Sequence, residues 1–326
     1  MFPGSTRRLS SLAGLLALAG RSSGIGMDRA CDLARDLLAF PPGQEEWTGG
    51  RSALNADGSP LQLSLSTTDA GQRWHLVADP AFFLAEPADR LATAREAAVR
   101  LFACGGAGEL TELCRRSISY GPLWLAAGLD GAAKAVYVFA QPAPGEDTWD
   151  RVRAWLADVL PDPGPAYATV EALRGHARLA FVCLEGTDRS DARAKLYWRL
   201  TAPRSLAAMG VDLLRHPSFT SFLAACLEDK AIGLEGLVLS AGFRVATGEP
   251  CDAKVDVCGH CLDLPVGGWI DLIAGCARAF GLRPVPAADL LGAAPGPGAG
   301  VAALGLGLDS QGRHRLNLYL SSAGTA

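Results

Sequence analysis

The chain has 326 residues, a hydrophobic fraction of 49% and a formal net charge of −4 at pH 7. That length suits one large domain or two smaller ones, with ample apolar material for a core. The slight acidic balance removes any chain-wide reason to bind nucleic acid, and no run of about 18 apolar residues argues for a membrane span. Neither kind of partner is expected, so any positive site must be local.

At the N-terminus, Arg7-Arg8 precedes the apolar stretch from Leu12 to Ala19, the order of a signal-like segment. Nine cysteines, an odd count, do not suit a closed disulfide framework. We therefore expect a cytoplasmic monomer. Met27 opens a credible helix reaching Phe40, so residues 1–26 read as an extension or signal-like segment and 27–326 as a single folded unit.

A first hairpin is expected from Ser52 to Asn55, a turn at Asp57-Gly58, and Leu61 to Ser66, with Gln62 near its centre. Amphipathic spacing over Asp89 to Phe102 and Leu110 to Arg116 then predicts two helices. A second hairpin follows, Leu123 to Leu129, a turn at Asp130-Gly131, and a strand containing Lys134 and Tyr137. Helices over Asp147 to Leu160 and Ala168 to Arg174 lead to Leu179 to Leu184, a turn at Glu185-Gly186, and the strand Arg193 to Leu200. Ser205 to Arg215 and Ser218 to Leu227 read as helices before the pair Leu237 to Phe243 and Asp252 to Cys258. Helices over Trp269 to Phe280 and Ala287 to Leu291 precede the last pair, Val301 to Leu308 and Arg313 to Leu320.

The unit helix, helix, strand, strand thus recurs five times. Lys134, Lys195, Lys254 and Arg315 stand 61, 59 and 61 positions apart, one on the second strand of each later hairpin. Alternation along a strand puts Arg193, Lys195, Tyr197 and Arg199 on one face and Leu196 and Trp198 on the other. The last strand divides likewise, Arg315, Asn317 and Tyr319 opposite Leu316 and Leu318. An antiparallel sheet of about ten strands removes its edges by closing, with helices over the apolar face and the polar face turned into a lumen. We therefore expect an α+β fold of five ααββ repeats, a ten-stranded antiparallel barrel inside a helical ring. Unpartnered lumenal cations would cost several kcal/mol each, and a bound polyanion such as pyrophosphate would remove that cost.

Three other motifs lead elsewhere. Glu146-Asp147-Thr-Trp-Asp150 has the look of an acidic magnesium motif, yet no second copy accompanies it, and it reads as a helix N-terminus. Cys258-Gly-His260-Cys261 matches a thiol–disulfide motif, but no helix starts at its first cysteine. Zinc ligation lacks paired histidine spacing.

With its Arg193-x-Lys195-x-Tyr197 strand, the chain resembles the soluble aromatic prenyltransferases built from five ααββ repeats, known as the ABBA or PT-barrel group. That resemblance implies transfer of a dimethylallyl or geranyl group from its pyrophosphate to an aromatic acceptor, a small molecule or a peptide side chain. It casts Lys134, Arg193, Lys195 and Tyr197 as pyrophosphate-binding residues and Tyr319 as a shielding tyrosine; Lys254 and Arg315, in register with them, would add positive charge against the leaving group, and Tyr197 and Tyr319 would face the allyl cation. A family acid near the first hairpin makes Glu46, beside Trp47, the candidate base. No cofactor is required; Mg2+ could assist, and the lysines could replace it. The chain departs from the indole-type pattern at Val136 and at Lys254-x-Asp256, where that subgroup carries tyrosine and Gln-x-Tyr. The alternative reading is a catalytically silent barrel that binds an anionic or lipid-like ligand.

Overall fold

The computed structural model describes residues 7–8, 13–41, 46–47, 52–55, 58–104, 108–228, 232–292 and 300–321. Its helices are α1 (Ala13–Ser23), α2 (Met27–Leu38), α3 (Pro87–Ala103), α4 (Gly108–Ile118), α5 (Thr148–Val159), α6 (Gly164–Leu173), α7 (Pro217–Leu227), α8 (Val266–Ala279) and α9 (Ala287–Gly292). The strands are β1 (Arg7–Arg8), β2 (Glu46–Trp47), β3 (Leu61–Thr67), β4 (Gln72–Ala78), β5 (Leu123–Gly128), β6 (Lys134–Val138), β7 (Ala177–Gly186), β8 (Arg193–Leu200), β9 (Leu237–Arg244), β10 (Pro250–Cys258), β11 (Gly300–Asp309) and β12 (His314–Ser321).

Ten strands, β3 to β12, close into an antiparallel barrel, and β12 pairs with β3 to seal it. Closure leaves no edge to pair with another chain. Tight turns at Gly131 and Gly312 adopt φ of 78° and 77°, a region that favours glycine. The helices start where the sequence permits, with Pro87 and Pro217 in the first turns of α3 and α7.

Every barrel strand turns one apolar row outward. Leu61, Leu63 and Leu65 of β3, Leu196 and Trp198 of β8, and Leu316 and Leu318 of β12 are each at most 1% exposed, packed in one core with the helices. The expected outward facing of Leu196, Trp198, Leu316 and Leu318 therefore holds. A separate, smaller cluster of Val77, Ala126, Ala135, Cys183 and Tyr197 lines the inside.

Three expectations shift. The barrel's first hairpin is β3 with β4, so Leu61 to Ser66 is its first strand, and Ser52 to Asn55 forms no strand. In place of a helix over Ser205 to Arg215 there are two 3-10 turns, residues 206–208 and 212–215. Finally, α1 buries Leu15, Leu16, Leu18 and Ala19 in the main core and packs on α2. It supplies the first helix of the first repeat, so the folded unit does not start at Met27.

Candidate active site

The barrel interior holds a compact set of charges. Arg193 meets Glu185 at 2.5 Å and Asp252 at 2.6 Å. Lys195 meets the same two acids at 3.3 and 3.2 Å, and Arg315 lies 3.7 Å from Asp252. On β10, two residues beyond Asp252, Lys254 sits 2.6 Å from both Asp256 and the Tyr319 hydroxyl. Lys195, Lys254, Asp252 and Asp256 are each at most 6% exposed.

These cations are therefore not unpartnered, which overturns the premise that only a bound polyanion could offset their burial. Glu185 was read as part of a turn, but β7 runs on through it and its side chain enters the lumen. Three cations around two acids still leave one unbalanced positive charge. Arg73 adds another: Trp74 and Leu76 of β4 belong to the outer core, so Arg73 and His75 lie on the inner face. Among the described residues Arg73 has no ion pair, and it remains exposed.

Burial alone would raise the Glu185 carboxyl, but Arg193 and Lys195 outweigh it and hold it at about 2. Asp252 is held below its ordinary value in the same way, against its own burial, by Lys195, Arg193 and Arg315. A carboxyl with a depressed folded value stabilises the fold above its unfolded value and loses that contribution as pH falls. Stability from Glu185 should thus be complete above about 4.5 and lost on acidification toward about 2. Urea unfolding across that range should show a shallower acid slope in Glu185→Gln; an unchanged slope would mean that the carboxylate is not held by these cations.

One of the eight site residues, Lys134, falls elsewhere. Lys134 shares its face with Val136 and Val138 of the outer core and donates to the Cys104 carbonyl at the end of α3. It cannot enter the lumen, because a one-residue offset in a strand reverses the face. Ala135 and Tyr137 take the inward positions instead, Tyr137 against Tyr197 with centroids 6.1 Å apart. Among the described residues Glu46 lies on β2, which pairs with β1, Arg8 opposite Glu46, in a sheet separate from the barrel. Its side chain is outside the described residues. Arg193, Lys195, Tyr197, Lys254, Arg315 and Tyr319 all share the interior.

Beside the charges stands an aromatic wall. Trp124, Tyr137, Phe139, Phe181 and Tyr197 contact one another, Phe181 and Tyr197 at 4.5 Å and Trp124 and Phe139 at 4.6 Å. The Lys254 ammonium lies 5.3 Å from the Tyr197 ring and 5.0 Å from that of Tyr319, within cation–π range. Burial raises the Tyr137 and Tyr197 phenols, so they face the lumen uncharged. Sequence spacing pointed to Tyr197 and Tyr319; the rest of the wall needed the strand registers.

The motifs set aside have structural roles. Asp147 and Asp150 pair with Arg174 at 3.3 and 2.5 Å. Cys258 ends β10 with its thiol raised by burial, and Cys261 is likewise raised and unpaired by any disulfide. Among the described residues no group of three His, Cys, Asp or Glu side chains could hold a metal ion, and no helix is long and apolar enough to cross a membrane.

A ten-stranded barrel ringed by helices in ααββ order is the fold of the aromatic prenyltransferases. The chain is similar to 5-dimethylallyltryptophan synthase from Streptomyces coelicolor, with 21% identity, a TM-score of 0.76 and 97% of each chain covered. It is similar to 6-dimethylallyltryptophan synthase from Micromonospora olivasterospora in complex with DMASPP and Trp, at 18% identity and TM-score 0.76, covering 97% and 98% of the two chains. The PriB complex with product diphosphate shares 19% identity at TM-score 0.75, with 96% of each chain covered. No family model matches the sequence, and no curated protein matches it.

Proposed function

We propose that this chain transfers a prenyl group from its pyrophosphate to an aromatic acceptor, inside the barrel and without a metal ion. The observation that carries this reading is the cluster of Arg193, Lys195 and Arg315, positive beyond its two acids, facing an aromatic wall in a closed barrel. Together with Arg73 these residues would bind the pyrophosphate and neutralise the charge that develops as it leaves. Arginine supplies forked hydrogen bonds there, and lysine a point charge. The aromatic faces would stabilise the allylic cation by about 2 kcal/mol per good contact in a dry site. The barrel wall would keep water from capturing that cation. In the similar structures, one holds DMASPP with Trp and another product diphosphate, which supports the same donor and an aromatic acceptor here. Dimethylallyl and geranyl donors, and small aromatics and peptide side chains as acceptors, all fall within the proposal.

Lys254 has a different part in this proposal. With Asp256 and Tyr319 already on its ammonium, it anchors those groups rather than adding a free charge to the pyrophosphate.

The test is release of diphosphate from dimethylallyl and geranyl pyrophosphates, followed against a panel of indoles, phenols and aromatic peptides. We expect release that depends on the acceptor and survives EDTA. A silent barrel is the second reading, favoured by the internal pairing of Arg193, Lys195 and Lys254, which leaves the fold stable without ligand. Donor binding with no release for any acceptor would select it.

A further inference from the structure

The strand β11 presents almost no side chains to the lumen, since its inward positions include Gly305 and Gly307. Neighbouring side chains lie across it. A Cβ at position 305 would overlap the Asp256 carboxylate, and one at 307 would come within 3.1 Å of the Arg315 guanidinium. Asp256 stands opposite Gly305, and Gly305 stands opposite Asn317, so the acid and the amide face each other over this bare strip. On the other side of β10, Ser240 is opposite Lys254.

Three buried polar groups in this patch have unused hydrogen-bonding capacity. Asp256 Oδ1, Asn317 Nδ2 and Ser240 Oγ have no partner, although Asp256 is 6%, Asn317 7% and Ser240 0% exposed. Unsatisfied buried groups cost about 1–3 kcal/mol each, and native proteins contain few of them. Three on β9, β10 and β12, across the bare strip of β11, therefore mark a place where a polar ligand group belongs. The other Asp256 oxygen is fixed by Lys254, which Tyr319 holds in turn, so the free oxygen has a defined direction. Asp252 also has a free oxygen, but its other oxygen faces Arg193, Lys195 and Arg315, where an anionic leaving group would sit. Asp256 instead pairs with Lys254, whose ammonium adjoins the Tyr197 and Tyr319 rings.

Resting on the prenyl-transfer reading above, we infer that Asp256 is the catalytic base, taking the N–H or O–H proton of an aromatic acceptor, and that the oxygen of a hydroxyl acceptor also accepts from Asn317 Nδ2. The prenyl C1–O bond breaks and pyrophosphate leaves with the bonding pair. The acceptor forms a bond to C1, through its heteroatom or a conjugated ring carbon, and its proton passes to the Asp256 carboxylate. That proton then goes to water, and a ring-carbon product regains aromaticity by a proton shift. Charges balance with no further reactant. Glu46, on a strand outside the barrel sheet, is not needed as the base.

Asp256→Asn keeps the shape and an oxygen for Lys254 but removes the base. It should lower kcat by about a hundredfold or more, the usual range for general-base loss. Binding of dimethylallyl pyrophosphate should not weaken, because the charge cluster around Asp252 is untouched and Lys254 loses its carboxylate partner. Wild-type protein should bind indole about tenfold more tightly than 1-methylindole, the worth of one buried hydrogen bond to a charged group, and the variant should lose that preference. Should Asp256→Asn fail to fold, Asn317→Ala serves instead, with affinity for a phenol, whose oxygen would accept from Asn317 Nδ2, reduced about tenfold and donor affinity kept. Turnover and indole preference equal to wild type in folded Asp256→Asn, or phenol affinity equal to wild type in Asn317→Ala, would overturn the assignment and leave prenyl transfer standing. A wild-type protein that neither binds the donor nor releases diphosphate would overturn prenyl transfer, and the base with it.

Discussion

Asp252→Asn should weaken the unliganded barrel by about 3–5 kcal/mol and at the same time enlarge the stabilisation given by inorganic pyrophosphate. The first effect follows from position: one oxygen of a side chain 1% exposed meets Arg193 at 2.6 Å, Lys195 at 3.2 Å and Arg315 at 3.7 Å. Removing the charge leaves three cations around Glu185 alone, and Glu185 reaches only two of them. An uncompensated buried charge is the costly outcome, far more so than loss of a surface ion pair. The second effect has the same origin, since a polyanion entering the lumen would meet three cations with one internal competitor fewer. Thermal unfolding with and without millimolar pyrophosphate reads both at once. A variant as stable as wild type would show that Asp252 does not compensate the three cations, and one whose pyrophosphate shift is smaller would show that the cluster is a structural knot and not an anion site.

The arrangement also explains which parts of the molecule the sequence disclosed. Strand periodicity and the 61, 59 and 61 spacing of basic residues led to the closed barrel, because face alternation depends only on chemistry along one strand. The same spacing failed for Lys134. Matching residue counts does not fix pairing register, and a shift of one position exchanged Lys134 for Ala135 and Tyr137 on the inner face. The signal that could have corrected this was the row of Val136 and Val138, which belong with the helices. Arg73 was missed for a related reason, because the first hairpin was placed one strand too early.

The lumenal acids were harder to foresee. Asp256 was visible as a departure at the fourth repeat, but Glu185-Gly186 had the composition of a turn. Only the ladder from β7 to β8, with Glu185 opposite Arg193, assigns that glutamate to the site. The bare strip at Gly305 and Gly307 was likewise plain in the sequence without its meaning, which depends on what neighbouring strands lay across it.

Lys195→Ala should weaken pyrophosphate binding by about tenfold or more, through loss of a charge-assisted contact worth about 1.5–3 kcal/mol. From spacing alone, with four cations crowded in a lumen, removing one would relieve repulsion and leave stability level or higher. The structure reverses that sign. The Lys195 side chain is 3% exposed and lies between Glu185 and Asp252, so alanine leaves two carboxylates 17% and 1% exposed to share Arg193 and the more distant Arg315. Breaking a buried pair in this way costs about 3–5 kcal/mol. The unliganded variant should therefore unfold earlier than wild type at neutral pH and recover part of the difference on acidification, as the two carboxyls gain protons more readily without Lys195. Added pyrophosphate should restore less stability than in wild type, opposite to its effect on Asp252→Asn. Unfolding midpoints of the two variants, each with and without pyrophosphate, make the contrast directly measurable, and equal pyrophosphate shifts in both would remove Lys195 from the anion site.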